Sequence, residues 1–382
     1  MATDTGVNLL APGKSPKSNI QFLSFFVCVL KAANDFGSLI MASIASETNS
    51  HRLGGAEAPP ATLSVFTGST MSRMLDDIEK RMAQKLTADS KSEIKLDIGK
   101  IPEILLDNTD RNRTSPFAFV GNRFEFRAVG AQANCAASMI VLNTAVAEQL
   151  TDFKQRVDKL ISDGVDMVKA ILVVLREDIK VCKPIHFDGN GYSDEWKEEA
   201  ARRGLDTETS IPLILDQYLS EETVNMFTRM NVLSLPELEA RNEIKLETYT
   251  KKVQIEARIL GDICLNHIVP VATRYQSQLL DNVCKVSQVF PAEQAKTMNA
   301  ANIDLIEKIA ESTASITQHV YSLIGARKVA NRLETEREKA IAYHDNVAPL
   351  IEEIRTHVDK LETIIDDELW PLPKYREMLF IR

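Results

Sequence analysis

Asn112-Arg113-Thr114-Ser115-Pro116-Phe117, with Phe124-Glu125-Phe126-Arg127 beginning eleven residues after Arg113, is the stretch from which this chain is read. The first part reads as a turn, and the second as the aromatic end of the strand it enters. Side chains alternate along a strand, so Glu125 and Arg127 leave one face while Phe124 and Phe126 pack on the other. Forked guanidinium donors clamp planar carboxylates and phosphoryl oxygens, and a glutamate binds hard divalent cations. One face could therefore hold a cation and an anion together. Taken alone, an Arg/Glu strand is more often a solvated sheet face with surface ion pairs.

A second stretch shifts that balance. In His51-Arg52-Leu53-Gly54-Gly55-Ala56-Glu57-Ala58-Pro59-Pro60 the glycines permit positive backbone angles, and Glu57 stands just ahead of a rigid proline pair. The order RLGGAEAPPA, NRTSPFAF, NRFEFRAVGAQAN resembles the catalytic domain of glutamine synthetases, which carry an Arg-Leu…Glu-Ala-Pro loop, an Asn-Arg-Ser/Thr turn and a Glu-x-Arg strand. The long type III members are the better match. Thr5–Gly13, Ser43–Ser46, Phe187–Trp196 and Asn266–Tyr275 extend the likeness over nearly the whole chain.

The resemblance implies ATP-dependent phosphorylation of the γ-carboxylate of glutamate, followed by displacement of phosphate by ammonia. Positioning and charge stabilisation dominate such phosphoryl transfer. Carried over by motif, Arg52 and Arg127 hold glutamate, Arg113 neutralises the transferring phosphoryl group and Glu125 binds a divalent metal, Mg or Mn. Glu57 closes its loop over the site and accepts a proton from ammonium. Two departures stand out: the spacing from Arg52 to Glu57 is one residue short of the common short-chain form, and position 118 is Ala where that form has a further Arg. Arg111 or Arg123 is expected to supply that charge to ATP.

The family's other metal-binding glutamates, its metal-binding histidine and its Asn-Gly substrate motif fall ahead of Met1 in this comparison. A single carboxylate cannot satisfy two or three cations that each want about six oxygens. The chain is thus expected to be the C-terminal half of such an enzyme, inactive alone. Two alternatives stay open: a non-catalytic assembly subunit, or a ligase joining glutamate to another amine. The family implies a homo-oligomer, a double ring with sites at subunit junctions.

Composition agrees with a soluble globular protein. With 382 residues, 44% of them hydrophobic, the chain can bury a substantial core in about two to three domains. Net charge is −9 and basic residues are dispersed, which argues against a nucleic-acid surface. Five cysteines without CxxC spacing, four of them in apolar contexts, read as buried free thiols of a reducing, cytoplasmic setting. Ile20–Leu30 is apolar but only about eleven residues long, so it reads as a buried helix and no membrane segment is expected.

The predicted class is α+β. Residues 1–205 are expected to form a partial, antiparallel catalytic sheet backed by helices, and 206–382 an all-α bundle. Thr62–Gly68 and Pro116–Val129 read as strands, Ser69–Ala83, Asn134–Leu150 and about Asp152–Ile179 as helices. Beyond 206 come long helices from Leu235 to about Ile268, broken or kinked at Val269-Pro270, then Val271–Phe290, and one opening at Pro291. Stripes such as Ile309, Ile316, Val320, Leu323 and Ile354, Leu361, Ile365 read as bundle core.

Overall fold

A computed structural model describes residues 1–14, 16–52, 62–85, 115–130, 133–191 and 193–379. The chain forms two compact units, Met1–Asn242 and Glu243–Arg382. The class is α+β: among the described residues the first unit carries one small sheet and the second is helical.

The apolar run becomes α1 (Pro16–Asp35), with Phe22, Leu23, Phe26 and Val27 buried at 0–1% exposure. Proline suits a helix start because its missing N–H is not needed there. No helix among the described residues is long and apolar enough to cross a membrane. Helix α1 is followed by α2 (Gly37–Ala42), a 3-10 turn (Glu47–Arg52), β1 (Val65–Phe66) and α3 (Ser69–Lys85).

The aromatic stretch 116–129, read above as one strand, is a hairpin of β2 (Phe117–Phe119) and β3 (Phe124–Phe126). Gly121 stands at the first central position of the turn with φ 95°, and the Val120 amide donates to the Arg123 carbonyl at 2.9 Å. Two-residue hairpin loops require that positive angle. The sheet order is β1-β2-β3; β2 and β3 are antiparallel, whereas β1 and β2 are parallel. The antiparallel expectation holds for β2 and β3, while β1 joins in parallel, since the long connection from 66 to 117 permits the crossover that parallel strands need.

Beyond the hairpin, α4 (Ala136–Ser162) and α5 (Met167–Val181) replace the helices expected to divide near residue 151. The stop lies instead at Gly164, φ 88°, and Asp166 restarts the chain by accepting the Val168 amide at 3.1 Å. A glycine at positive φ ends a helix and an Asp caps the next. Helix α1 packs on α4 and α5, and α3 packs on α5. Short helices α6 (Asp194–Arg202), α7 (Ile211–Leu215) and α8 (Glu221–Arg229) follow, with α7 against α2 and α8 against α4.

Then come α9 (Leu235–Ile263), α10 (Val269–Val289), α11 (Ala292–Ala330), α12 (Glu336–Asn346), α13 (Ala348–Ile364) and α14 (Tyr375–Met378). Pro270 leaves the helical ladder one donor short, and the interruption expected there takes the form of a π-helical turn, Cys264–Ile268. In the second unit α11 packs on α10, α12 and α13. Ile309, Ile316, Val320, Leu323, Ile354 and Leu361 are each 0% exposed. Thr335 and Glu338 form a reciprocal capping box at α12.

All five cysteines are free, but Cys135 and Cys284 are exposed. The expectation of four buried thiols is corrected accordingly: only Cys28, Cys182 and Cys264 lie in the core, where burial pushes the Cys28 thiol up to about 12 and that of Cys264 to about 11.

Phe26 touches three rings of the sheet core and its helix, so Phe26→Ala should cost about 3–5 kcal/mol. Ile303→Ala on the half-exposed side of α11 should stay within about 0.5 kcal/mol. Equilibrium urea unfolding measures both.

Candidate functional site

Under the hairpin lies an aromatic floor. Phe124 stands 5.3 Å from Phe26, 5.2 Å from Phe117 and 5.1 Å from Phe119, and Phe126 meets Phe117 edge-on at 6.0 Å. Packing these rings together on one side sends the intervening residue of β3 to the opposite face. There Glu125 is bracketed by two guanidiniums. Its Oε1 accepts from Arg123 Nη2 at 2.9 Å and Nε at 3.2 Å; its Oε2 accepts from Arg127 Nη2 at 3.1 Å and Nε at 3.4 Å. The hydrogen bond from Arg127 first, and that from Arg123 next, hold the Glu125 carboxyl below the usual glutamate range.

Arg127 is the enclosed member of the row, its side chain 19% exposed against 63% for Arg123. Forked guanidiniums flanking one carboxylate form a cluster of the kind that binds planar anions. Glu125 offers oxygen to a hard cation, but no group of three His, Cys, Asp or Glu residues that could hold a metal exists among the described residues. These residues do not by themselves fit a divalent metal.

Arg52 ends the 3-10 turn Glu47–Arg52, and that turn is tied to the exit of β3. Asn49 Nδ2 donates to the carbonyl of Ala128, the residue after Arg127, at 3.2 Å. The segments bearing Arg52 and Arg127 are thus joined. Glu57, Arg111 and Arg113, the other expected site residues, lie outside the described residues.

Sequence reading missed a second cluster. Asp188 Oδ1 accepts the amides of Thr67 and Gly68, each at 3.0 Å, and Oδ2 takes the Ser72 hydroxyl. His186 Nε2 lies 2.6 Å from Thr67 Oγ1, 3.0 Å from Ser72 Oγ and 3.3 Å from Asp188 Oδ2. The Phe187 amide donates to the Val65 carbonyl at 3.1 Å, so 186–188 lines β1 and caps the start of α3. The turn is backed by Phe187 stacked on buried Trp196 at 3.8 Å and by Arg203, which donates to the His186 carbonyl at 2.9 Å. Only the Gly/Asn/Asp character of 188–191 signalled it.

Residues 170–287 match the glutamine synthetase C-terminal domain. The whole chain is 51% identical to a glutamine synthetase of Bacteroides fragilis (strain YCH46), of which it covers 52%. It is 34% identical to the type-3 glutamine synthetase of Dictyostelium discoideum, covering 52%, and 32% identical to a glutamine synthetase of Butyrivibrio fibrisolvens, covering 53%. In both cases all of this chain is matched. The chain spans about half the length of the curated relatives it matches.

The Asp188 cluster makes stability depend on pH. Burial opposes ionisation of Asp188, but the contacts with His186, Ser72 and the Thr67 amide outweigh it and bring the carboxyl from 3.8 to about 2. A carboxyl depressed on folding stabilises the fold above its unfolded value and loses that contribution as pH falls toward the folded one. Asp188→Asn should therefore cost about 2 kcal/mol at neutral pH, and the difference from wild type should vanish between pH 4 and 2. Urea midpoints measured across that range test it.

Proposed function

We propose that this chain, which is similar over its whole length to glutamine synthetases, supplies part of an active site joining ammonia to the γ-carboxylate of glutamate, driven by ATP. Residues 1–205 are assigned to the catalytic domain and 206–382 to the helical domain of type III members. The observation that carries the reading is the row Arg123, Glu125, Arg127 on one sheet face.

Arg127, enclosed and forked, grips the reacting carboxylate of glutamate. Its present bonds to Glu125 are a partly exposed ion pair, and such pairs are worth about 0–1 kcal/mol, so exchange for a substrate carboxylate costs little. Arg123 reaches outward for the phosphates of ATP, a role shared with Arg111. Arg113 neutralises the transferring phosphoryl group, Arg52 holds glutamate, and Glu57 accepts the proton that ammonium must lose before it attacks. Glu125 stays ionised beside its arginines and is assigned one oxygen contact to Mg or Mn. A divalent metal would neutralise phosphate charge, and its remaining ligands must come from outside the described residues. The assembled enzyme is assigned to the cytoplasm, where free thiols persist, and to a homo-oligomer of the double-ring kind.

The test is glutamine formation from ATP, glutamate and ammonium by a protein joining this chain to the other half that its relatives possess. Arg127→Ala should lower kcat/KM for glutamate about 10²–10³-fold. Arg127→Lys should not restore it, because an ammonium group lacks the planar fork. Undiminished turnover in Arg127→Ala would remove the reading; methylamine or a polyamine outcompeting ammonium would redirect it to another amine.

A further inference from the structure

Asn49 is 3% exposed, and its two polar ends have different surroundings. Nδ2 donates to two carbonyls, Ile44 at 3.1 Å and Ala128 at 3.2 Å. Oδ1 is buried with no partner. Two carbonyl acceptors demand a donor, which fixes the amide with its nitrogen toward them and leaves its oxygen facing away. On the oxygen side the main chain comes very close. Gly130 sits there at φ +80°, and a Cβ at that position would stand 3.2 Å from Oδ1 and 3.5 Å from Cγ. Such an angle is open to glycine and strained for other residues.

One side chain thus joins three pieces of backbone: the exit of α2 at Ile44, the 3-10 turn Glu47–Arg52, and the exit of β3 at Ala128. Ala128 directly follows Arg127, and Arg52 stands three residues beyond Asn49. A buried residue serving packing alone would not leave a carbonyl oxygen unpaired, since that loss is larger than the average gain of a hydrogen bond. The orientation is retained because the donor end is needed where it is.

We propose that Asn49 is a positioning residue for the substrate wall, its amide holding the Arg52 segment in register with Arg127 while Gly130 leaves room for it. The proposal rests on the reading of Arg127 as a ligand of the substrate carboxylate. It concerns how that arginine is held, not whether catalysis follows.

The experiment uses the chain itself, labelled with ¹⁵N. Asn49→Ala should accelerate exchange of the Arg127 Nε proton about tenfold and shift the amide signals of residues 49–52, with the second-unit signals of α11 and α13 unchanged. A folded Asn49→Ala protein with Arg127 exchange as in wild type would overturn the proposal, whatever its melting temperature. Should Asn49→Ala fail to fold, Gly130→Ala decides: it keeps the amide but sets a methyl group against Oδ1, and the same acceleration is expected, its absence again being fatal. In the joined protein Asn49→Ala should raise KM for glutamate about tenfold and leave kcat within about twofold, the pattern of lost substrate positioning. An equal fall of kcat with KM unchanged would count against it. Because proton exchange is read without catalysis, a protein that makes no glutamine would sink the ligase reading and leave this one still decidable.

Discussion

Packing of the alternate aromatic residues of β3 onto one ring layer is the constraint from which the candidate site follows. Phe124 and Phe126 have an aromatic floor beneath them, made by Phe117 and Phe119 of β2 and Phe26 of α1. A slip of one residue in the pairing Phe117–Phe126, Ala118–Glu125, Phe119–Phe124 would turn the rings to solvent and drive Glu125 into the core. Several kilocalories of ring burial therefore enforce the position of three charged groups that contribute little to stability themselves.

That division between a costly floor and a cheap polar face suits exchange of partners. Had Glu125 and Arg127 been fully buried, separating them for a substrate would expose an uncompensated charge, a penalty of about 3–5 kcal/mol. Glu125 is instead 35% exposed and each of its oxygens is served by a different arginine. A carboxylate arriving at Arg127 can displace Oε2 while Oε1 remains paired with Arg123. The contrast within the same unit is Arg156 and Asp178: there the carboxylate is 2% exposed, the bond is 2.7 Å, and the pair ties α4 to α5. That pair is built to stay closed.

The legible parts of the molecule were those governed by local period. Alternation placed Glu125 and Arg127 on one face, and helical spacing located the core residues of α11 and α13. Where the reading failed, a short polar signal was hidden in a continuous pattern. Gly121-Asn122 splits an aromatic run that otherwise looks like one strand, and Asp163-Gly164 ends α4 within an amphipathic stretch that continues on either side. The Asp188 cluster and the Asn49 clamp were illegible for a different reason. Their bonds join residues 114 to 121 and 79 positions apart, and no local spacing encodes such pairings. Each lies next to a glycine at positive φ, Gly68 and Gly130, which was visible only as a residue type.

Net charge adds a final constraint. At −9 the chain as a whole repels anions, yet at physiological ionic strength charges are screened over about 8 Å. Recognition of anions must then be local, made by guanidiniums within bonding reach rather than by a general field. Exposed Arg123 could meet an anion in solution, and enclosed Arg127, behind it on the same face, offers the stronger second contact. Glu125 between them offsets the repulsion of the two cations. A neutral residue at 125 would remove that screen even if it never touched a metal, so loss of its carboxylate should weaken anion capture and order at the wall together.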